Sequence, residues 1–225
     1  MTGKWGAAAG PATKRQQKPS MDSTRDRILD AAETLFGEGT FDTVSLRDIT
    51  QRADVTLALA SYHFGTKERL FAEVVGRRAH ILDQMRRERL AATEAEGRLD
   101  TRSIVDAFMR PLFEQMASGL PGWPSYLLIL AQLGQTNRWL HLLRENFDAT
   151  AELFLSGLEA ALPSVPRPLL LRGFSMVLVA MLQTLSRNRR LDALSAGTVT
   201  ADDLDAAYDA LLQFAVRGLE GLGEA

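Results

Sequence analysis

The sequence predicts an all-α chain, with three short helices, a long connecting helix and then a helical bundle. Three observations carry that expectation. Apolar residues recur at helical spacing from Ser23 onward, and no alternating run of β-branched residues competes. Breaks rich in Gly and Pro separate the stripes: Gly37 and Gly39, Gly65, Gly97, Pro121 with Pro124, Pro163 with Pro166 and Pro168, and Gly197.

Ile28, Ala31, Ala32, Leu35 and Phe36 form the first stripe, opened by a cap at Ser23 or Thr24 and closed by Gly37 and Gly39. Ser45 caps a short second helix over 46–53, and Asp48 at its third position completes a capping-box pair. Asp54, Val55 and Thr56 separate it from a third helix ending near His63. The turn at 65–68 opens a long helix from Lys67 to about Ala92. Five longer helices follow at about 101–118, 123–134, 137–162 with a break near Asn146, 167–189 and 201–222. Residues 1–20 carry Lys4, Lys14, Arg15 and Lys18 without an acidic side chain and read as a disordered basic arm. Met21 is an alternative start. Domains are expected at 21–75 and 76–225.

Composition narrows the function. The 225 residues contain no cysteine, which excludes disulfide scaffolds, thiolate metal sites and Cys nucleophiles and points to a cytoplasmic address. His63, His80 and His141 are too scattered to suggest a metal site, and no cofactor motif is present. No paired carboxylates, Ser-His-Asp pattern or phosphate-cradling loop suggests an enzyme. The apolar stretch 173–186 is shorter than the roughly 20 residues of a membrane span and reads as a buried helix. The net charge of −2 divides unevenly: residues 1–90 hold 15 basic and 12 acidic side chains, and residues 91–225 hold 11 and 16. The N-terminal part is therefore mildly basic.

Residues 46–64, LRDITQRADVTLALASYHF, have the dimensions of a helix-turn-helix. Ala53 supplies the small residue where two helices cross, and Val55 the aliphatic of the turn. The second helix is free to enter a DNA major groove.

Residues 24–75 carry a denser pattern: Ile28-Leu29-x-Ala31-Ala32, Leu35-Phe36, Gly39-x-x-x-Thr43-Val44-Ser45, Ile49-x-x-x-Ala53-x-Val55 and Tyr62-His63-Phe64-Gly65-Thr66-Lys67-Glu68-x-Leu70. This segment resembles the DNA-binding domain of TetR/AcrR-type transcriptional regulators. Thr50, Asp54 and Ser61 depart from the common pattern, and Asp54 suits a positive φ better than most residues. The resemblance implies phosphate contacts from Thr43, Ser45, Tyr62, His63 and Lys67, guanine reading by Arg47, and base contacts from Thr56, Leu57, Ala58 and Ser61. Leu57 and Ala58 suit thymine methyl groups. Ser45 as a cap alone, His63 as a packing residue and Arg47 as a solvated charge remain open.

The resemblance also implies a homodimer on a two-fold-related operator and a small-molecule effector. Its implied dimer interface lies on the last two long helices, at Phe174, Val177, Leu178, Met181, Leu185, Leu204, Tyr208, Leu211 and Leu212. Its implied ligand pocket takes Phe108, Leu112, Met116, Trp123, Tyr126, Leu127, Leu130, Phe147 and Phe154, with Gln132, Gln135, Asn137 and His141 available for a polar head. GWPSYLLILAQL and LSAGTVTADDLDA are similar to the C-terminal half of the PsrA-like subgroup, which favours an apolar or acyl-type ligand. The expected function is a ligand-released repressor. An activator of the same fold, or a helical ligand-binding adaptor without DNA binding, is the alternative.

Overall fold

A computed structural model describes residues 21–223, and the expected basic arm at 1–20 lies outside them. Ten helices occupy those residues: α1 (Met21–Glu38), α2 (Leu46–Arg52), α3 (Leu57–Phe64), α4 (Lys67–Ala95), α5 (Thr101–Ala117), α6 (Trp123–Leu133), α7 (Leu140–Ala161), α8 (Arg167–Leu185), α9 (Arg190–Leu194) and α10 (Leu204–Gly221). A 3-10 turn, Asn137–Trp139, precedes α7, and no strand occurs among the described residues.

The chain divides into two compact units, with the division inside α4. The N-terminal unit comprises residues 21–79 and Leu120–Leu142. A boundary after residue 75 did not anticipate that second segment, which belongs here because α6 packs along α1. Gly37 makes the approach possible: a Cβ there would lie 2.7 Å from the Ser125 backbone. Gly37 thus serves the helix crossing as well as the terminus, since α1 ends at Glu38, between Gly37 and Gly39 as the sequence suggested. Ser23 and Thr24 lie within α1 instead of capping it. The core joins Ile28, Phe36, Phe64, Leu70, Trp123 and Tyr126, all nearly inaccessible to solvent.

The buried carboxylate and the end of α1 in this interior find partners. Glu33, only 1% exposed, takes a bidentate contact from Arg78 at 2.7 Å and a further one from Arg77 at 3.1 Å. Arg78 also donates to the Pro121 carbonyl at 2.9 Å and lies over the Trp123 ring. Gln132 donates to the carbonyls of Phe36 and Gly39, at 3.2 and 2.9 Å, and so closes the C-terminus of α1. Its expected part in holding a ligand head is replaced by that capping role.

The second unit comprises His80–Gly119 and residues 143–223. α10 packs against α5 and α8, and α5 meets α8. α8 has the length and composition to cross a membrane, and here its apolar residues Leu170, Phe174, Val177, Met181 and Leu185 are buried. It stops at Leu185 instead of continuing to 189, because Arg187 adopts φ 51°. α7 runs unbroken past Asn146, contrary to the break expected there. The short helix α9 was not expected. Asp192 ties its loop by accepting from the Ala201 amide at 3.1 Å and the Thr200 hydroxyl at 3.2 Å.

Inside this unit Asp106 joins Arg110 and Tyr208. Both donate to its carboxylate, and the Arg110 guanidinium lies 4.7 Å from the Tyr208 ring centre. Burial pushes the Asp106 carboxyl up, but the hydrogen bonds from Arg110 and Tyr208 outweigh it and hold the group below its usual range.

Candidate nucleic-acid interface

The helix pair α2–α3 is held in place by residues outside it. The N-cap of α2 is a complete capping box: the Asp48 amide donates to Ser45 Oγ at 3.2 Å, and the Ser45 amide to Asp48 Oδ2 at 2.8 Å. The Ser45 hydroxyl also donates to Asp48 at 2.7 Å, and these bonds hold the Asp48 carboxyl below its usual range. The turn between the helices needs Asp54 in the left-handed region, and its φ is 51°. Arg27 of α1 fixes that turn by donating to the carbonyls of Ala53 and Asp54. Ile49, Ala53, Ala60 and Phe64 are buried beneath the pair, and Val55 is half-buried.

This arrangement sorts the expected contact residues. Thr43, Ser45 and Arg47 are exposed around the start of α2, and Thr56, Leu57, Ala58, Ser61 and Tyr62 are exposed on α3 or at its cap. Tyr62 is 72% exposed. The Thr56 side chain caps α3 by accepting from the Leu59 amide at 3.4 Å. Thr43 is drawn into the preceding loop, where its hydroxyl lies 3.1 Å from that of Thr40. His63 stands apart from the exposed set: it is half-buried, and its Nε2 is covered without a hydrogen-bond partner among the described residues.

Lys67 is placed differently from a freely projecting phosphate clamp. Its ammonium donates to the carbonyls of Phe41 at 2.7 Å and Val44 at 2.9 Å, over the Phe41 ring. Two of its three donors therefore hold the loop that leads into Ser45. Sequence reasoning missed Arg27 and this loop-holding role of Lys67, since neither partner is a side chain. It also missed Leu59 and Arg69, both exposed near the same surface. Neither Arg47 nor Arg69 has an acidic partner among the described residues.

The other expected sites are redistributed. Trp123, Tyr126, Leu127 and Leu130 lie in the N-terminal unit, where the Tyr126 hydroxyl donates to the Val75 carbonyl at 3.1 Å. Phe108, Leu112, Met116, Phe147 and Phe154 lie in the second unit, with the Phe108 ring 5.2 Å from Phe154 and 4.8 Å from Phe174. Gln135, Asn137 and His141 are exposed. Of the nine expected dimer residues only Leu178 escapes full burial within the chain. Phe174, Val177, Met181, Leu185, Leu204, Tyr208, Leu211 and Leu212 are core, because helical spacing marks an apolar stripe without saying what covers it. The outward sides of α8 and α10 instead show Met176, Val179 and Phe214, at 68%, 66% and 72% exposure.

Two family models match the chain. One, described as bacterial regulatory proteins of the tetR family, covers residues 28–74, and the other, a tetracyclin repressor-like C-terminal domain, covers residues 106–218. An HTH-type transcriptional repressor of Mycobacterium tuberculosis is 33% identical over 112 residues, which is 49% of this chain and 56% of the relative. An HTH-type transcriptional regulator of Mycobacterium bovis matches to the same extent, so the alignment spans about half the length of these curated relatives. Among solved structures, the fatty acid degradation regulator FadR from Bacillus halodurans superposes with a TM-score of 0.61 at 16% identity, over 91% of this chain and 98% of that one. A TetR-like regulator from Rhodococcus sp. RHA1 gives 0.57 at 20% identity over 92% and 100%. A transcriptional regulator from Saccharomonospora viridis in complex with choline gives 0.53 at 16% over 86% and 95%. At these identities the structural likeness is one of fold.

Proposed function

Because the chain belongs to the TetR family of bacterial regulatory proteins, we propose that it represses transcription by binding a two-fold-related DNA operator and releases it when a small molecule binds. The observation that carries the DNA-binding part is the exposed, rigidly held α2–α3 pair. Ser45 and Arg47 stand at the start of α2, and α3 exposes Leu57, Ala58, Ser61 and Tyr62 while burying Ala60 and Phe64. Arg47 has no acidic partner among the described residues, and its planar fork fits the O6 and N7 acceptors of guanine. Thr43, Ser45 and Tyr62 supply hydroxyls to phosphates, and Lys67 has one donor left for them.

Dimerisation uses the outward sides of α8 and α10 in this reading, through Met176, Val179 and Phe214. The effector is apolar or acyl-type and occupies the second unit near Phe108, Leu112, Met116, Phe147 and Phe154. Support for that class comes from the apolar character of these side chains and from the fatty acid degradation regulator that shares the fold. The helix α4 contributes to both units. A ligand favouring one placement of α4 over another therefore shifts the DNA-competent population.

Selection of duplexes from a random pool tests the reading. Enrichment of a two-fold-related sequence is expected, and Arg47→Ala should relax preference at one guanine per half-site at a cost of about 1–3 kcal/mol. No enriched sequence, or an Arg47→Ala variant with unchanged preference, counts against it.

A further inference from the structure

The exposed face of α3 lacks the side chains that read bases by paired hydrogen bonds. At about 100° per residue, Ala58 and Tyr62 lie opposite the buried Ala60, with Leu57 and Ser61 on one flank and Leu59 on the other. No Arg, Lys, Asn, Gln, Asp or Glu occurs in α3. Leu57 and Leu59 are 42% and 40% exposed, large apolar side chains on the surface of the helix pair. Of the hydroxyls on that face, Tyr62 is the one assigned above to phosphate, and Thr56 and Ser61 accept or donate with any base and discriminate weakly.

In the major groove one base edge is apolar, the C5-methyl group of thymine. At the N-terminal end of that face, small Ala58 with leucines on both flanks can approach the groove floor closely and bury such methyls, with Tyr62 one turn further on.

We propose that α3 recognises its half-site through thymine methyl groups, leaving hydrogen-bonded base reading to Arg47 on α2. The operator is then a guanine at the α2 contact followed by a thymine-rich step under α3. This rests on the DNA-binding function proposed above and names the class of sequence that function requires.

The test uses the full chain and duplexes enriched from a random pool, remade with deoxyuridine for thymidine one position at a time. Uracil keeps the pairing edge and removes only the methyl. Each contacted position should lose about fourfold in affinity, the value of one buried carbon. Leu57→Ala and Leu59→Ala, both at exposed positions, should each erase the uracil effect at one position and leave the others. Equal binding of the thymine and uracil duplexes overturns the proposal while leaving DNA binding intact. A uracil penalty that persists undiminished in both leucine variants shows that the leucines do not hold the methyls and overturns it as well. A pool without any enriched sequence refutes the DNA-binding reading itself, and this proposal with it.

Discussion

Lys67 shows how one side chain can serve a surface without projecting from it. Its ammonium satisfies two loop carbonyls ahead of Ser45, so the loop's course and the α2 cap depend on it. Lys67→Ala should therefore lower the unfolding free energy by about 1.5–3 kcal/mol, the worth of a hydrogen-bonded charge. A thermal melt checks this, and a variant as stable as the parent would reduce Lys67 to a phosphate contact. Asp106 gives a pH dependence. Its carboxyl is held below its usual range in the folded chain, so its contribution to stability is present above about pH 4, the unfolded value. That contribution is lost as pH falls through the folded value. Melting temperature measured from about pH 6 down to about pH 3 should fall more steeply for the parent than for Asp106→Asn. Tyr208 shifts the other way: burial and the Asp106 bond raise its phenol, so its contribution is full below its ordinary value of about 10 and fades only in strong alkali.

At the level of elements, α1 is the frame on which the reading helices hang. Arg27 fixes the turn after α2, Glu33 binds Arg77 and Arg78 of α4, and Gly37 admits α6. Glu33→Ala leaves two guanidinium groups facing a cavity, and breaking such a buried pair costs about 3–5 kcal/mol. Calorimetric unfolding should show that loss, whereas Asp30→Ala, at an exposed ion pair, should cost under about 1 kcal/mol. The α2–α3 pair was legible in the sequence because its signals are local: Ser45 with Asp48, Ala53 at the crossing, and a residue at Asp54 that accepts positive φ. The partnership of α1 with α6 was not legible. Gly37 reads as punctuation in a sequence, and only the approach of Ser125 reveals it as a crossing point. The same limit explains the dimer residues: the stripe on α8 was seen, but its neighbour α10 in the same chain covers it. The α8 terminus was placed too late because nothing in the side chain of Arg187 marks a left-handed residue.

For the whole molecule, the net positive share of residues 1–90 comes from Lys4, Lys14, Arg15 and Lys18, since residues 21–90, which carry α2 and α3, hold 11 basic and 12 acidic side chains, and the larger negative share lies beyond residue 90. Phosphate contact at α2–α3 therefore depends on individually placed donors such as Arg47 and Lys67 more than on a basic surface, and the net charge of −2 limits unspecific attraction. In the proposed dimer the outward apolar side chains form the interface, so Phe214→Glu combined with Met176→Glu should yield a folded monomer by sedimentation and weaken operator binding, since one reading head then acts alone. An unchanged sedimentation coefficient would place the interface elsewhere. The central claim, sequence-specific DNA binding through α2–α3, is tested most directly by fluorescence anisotropy with an enriched duplex and a scrambled one across a salt series. The account predicts at least about thousandfold preference for the enriched duplex, with log affinity falling linearly in log salt for both. Equal affinity for the two duplexes at every salt concentration would contradict it.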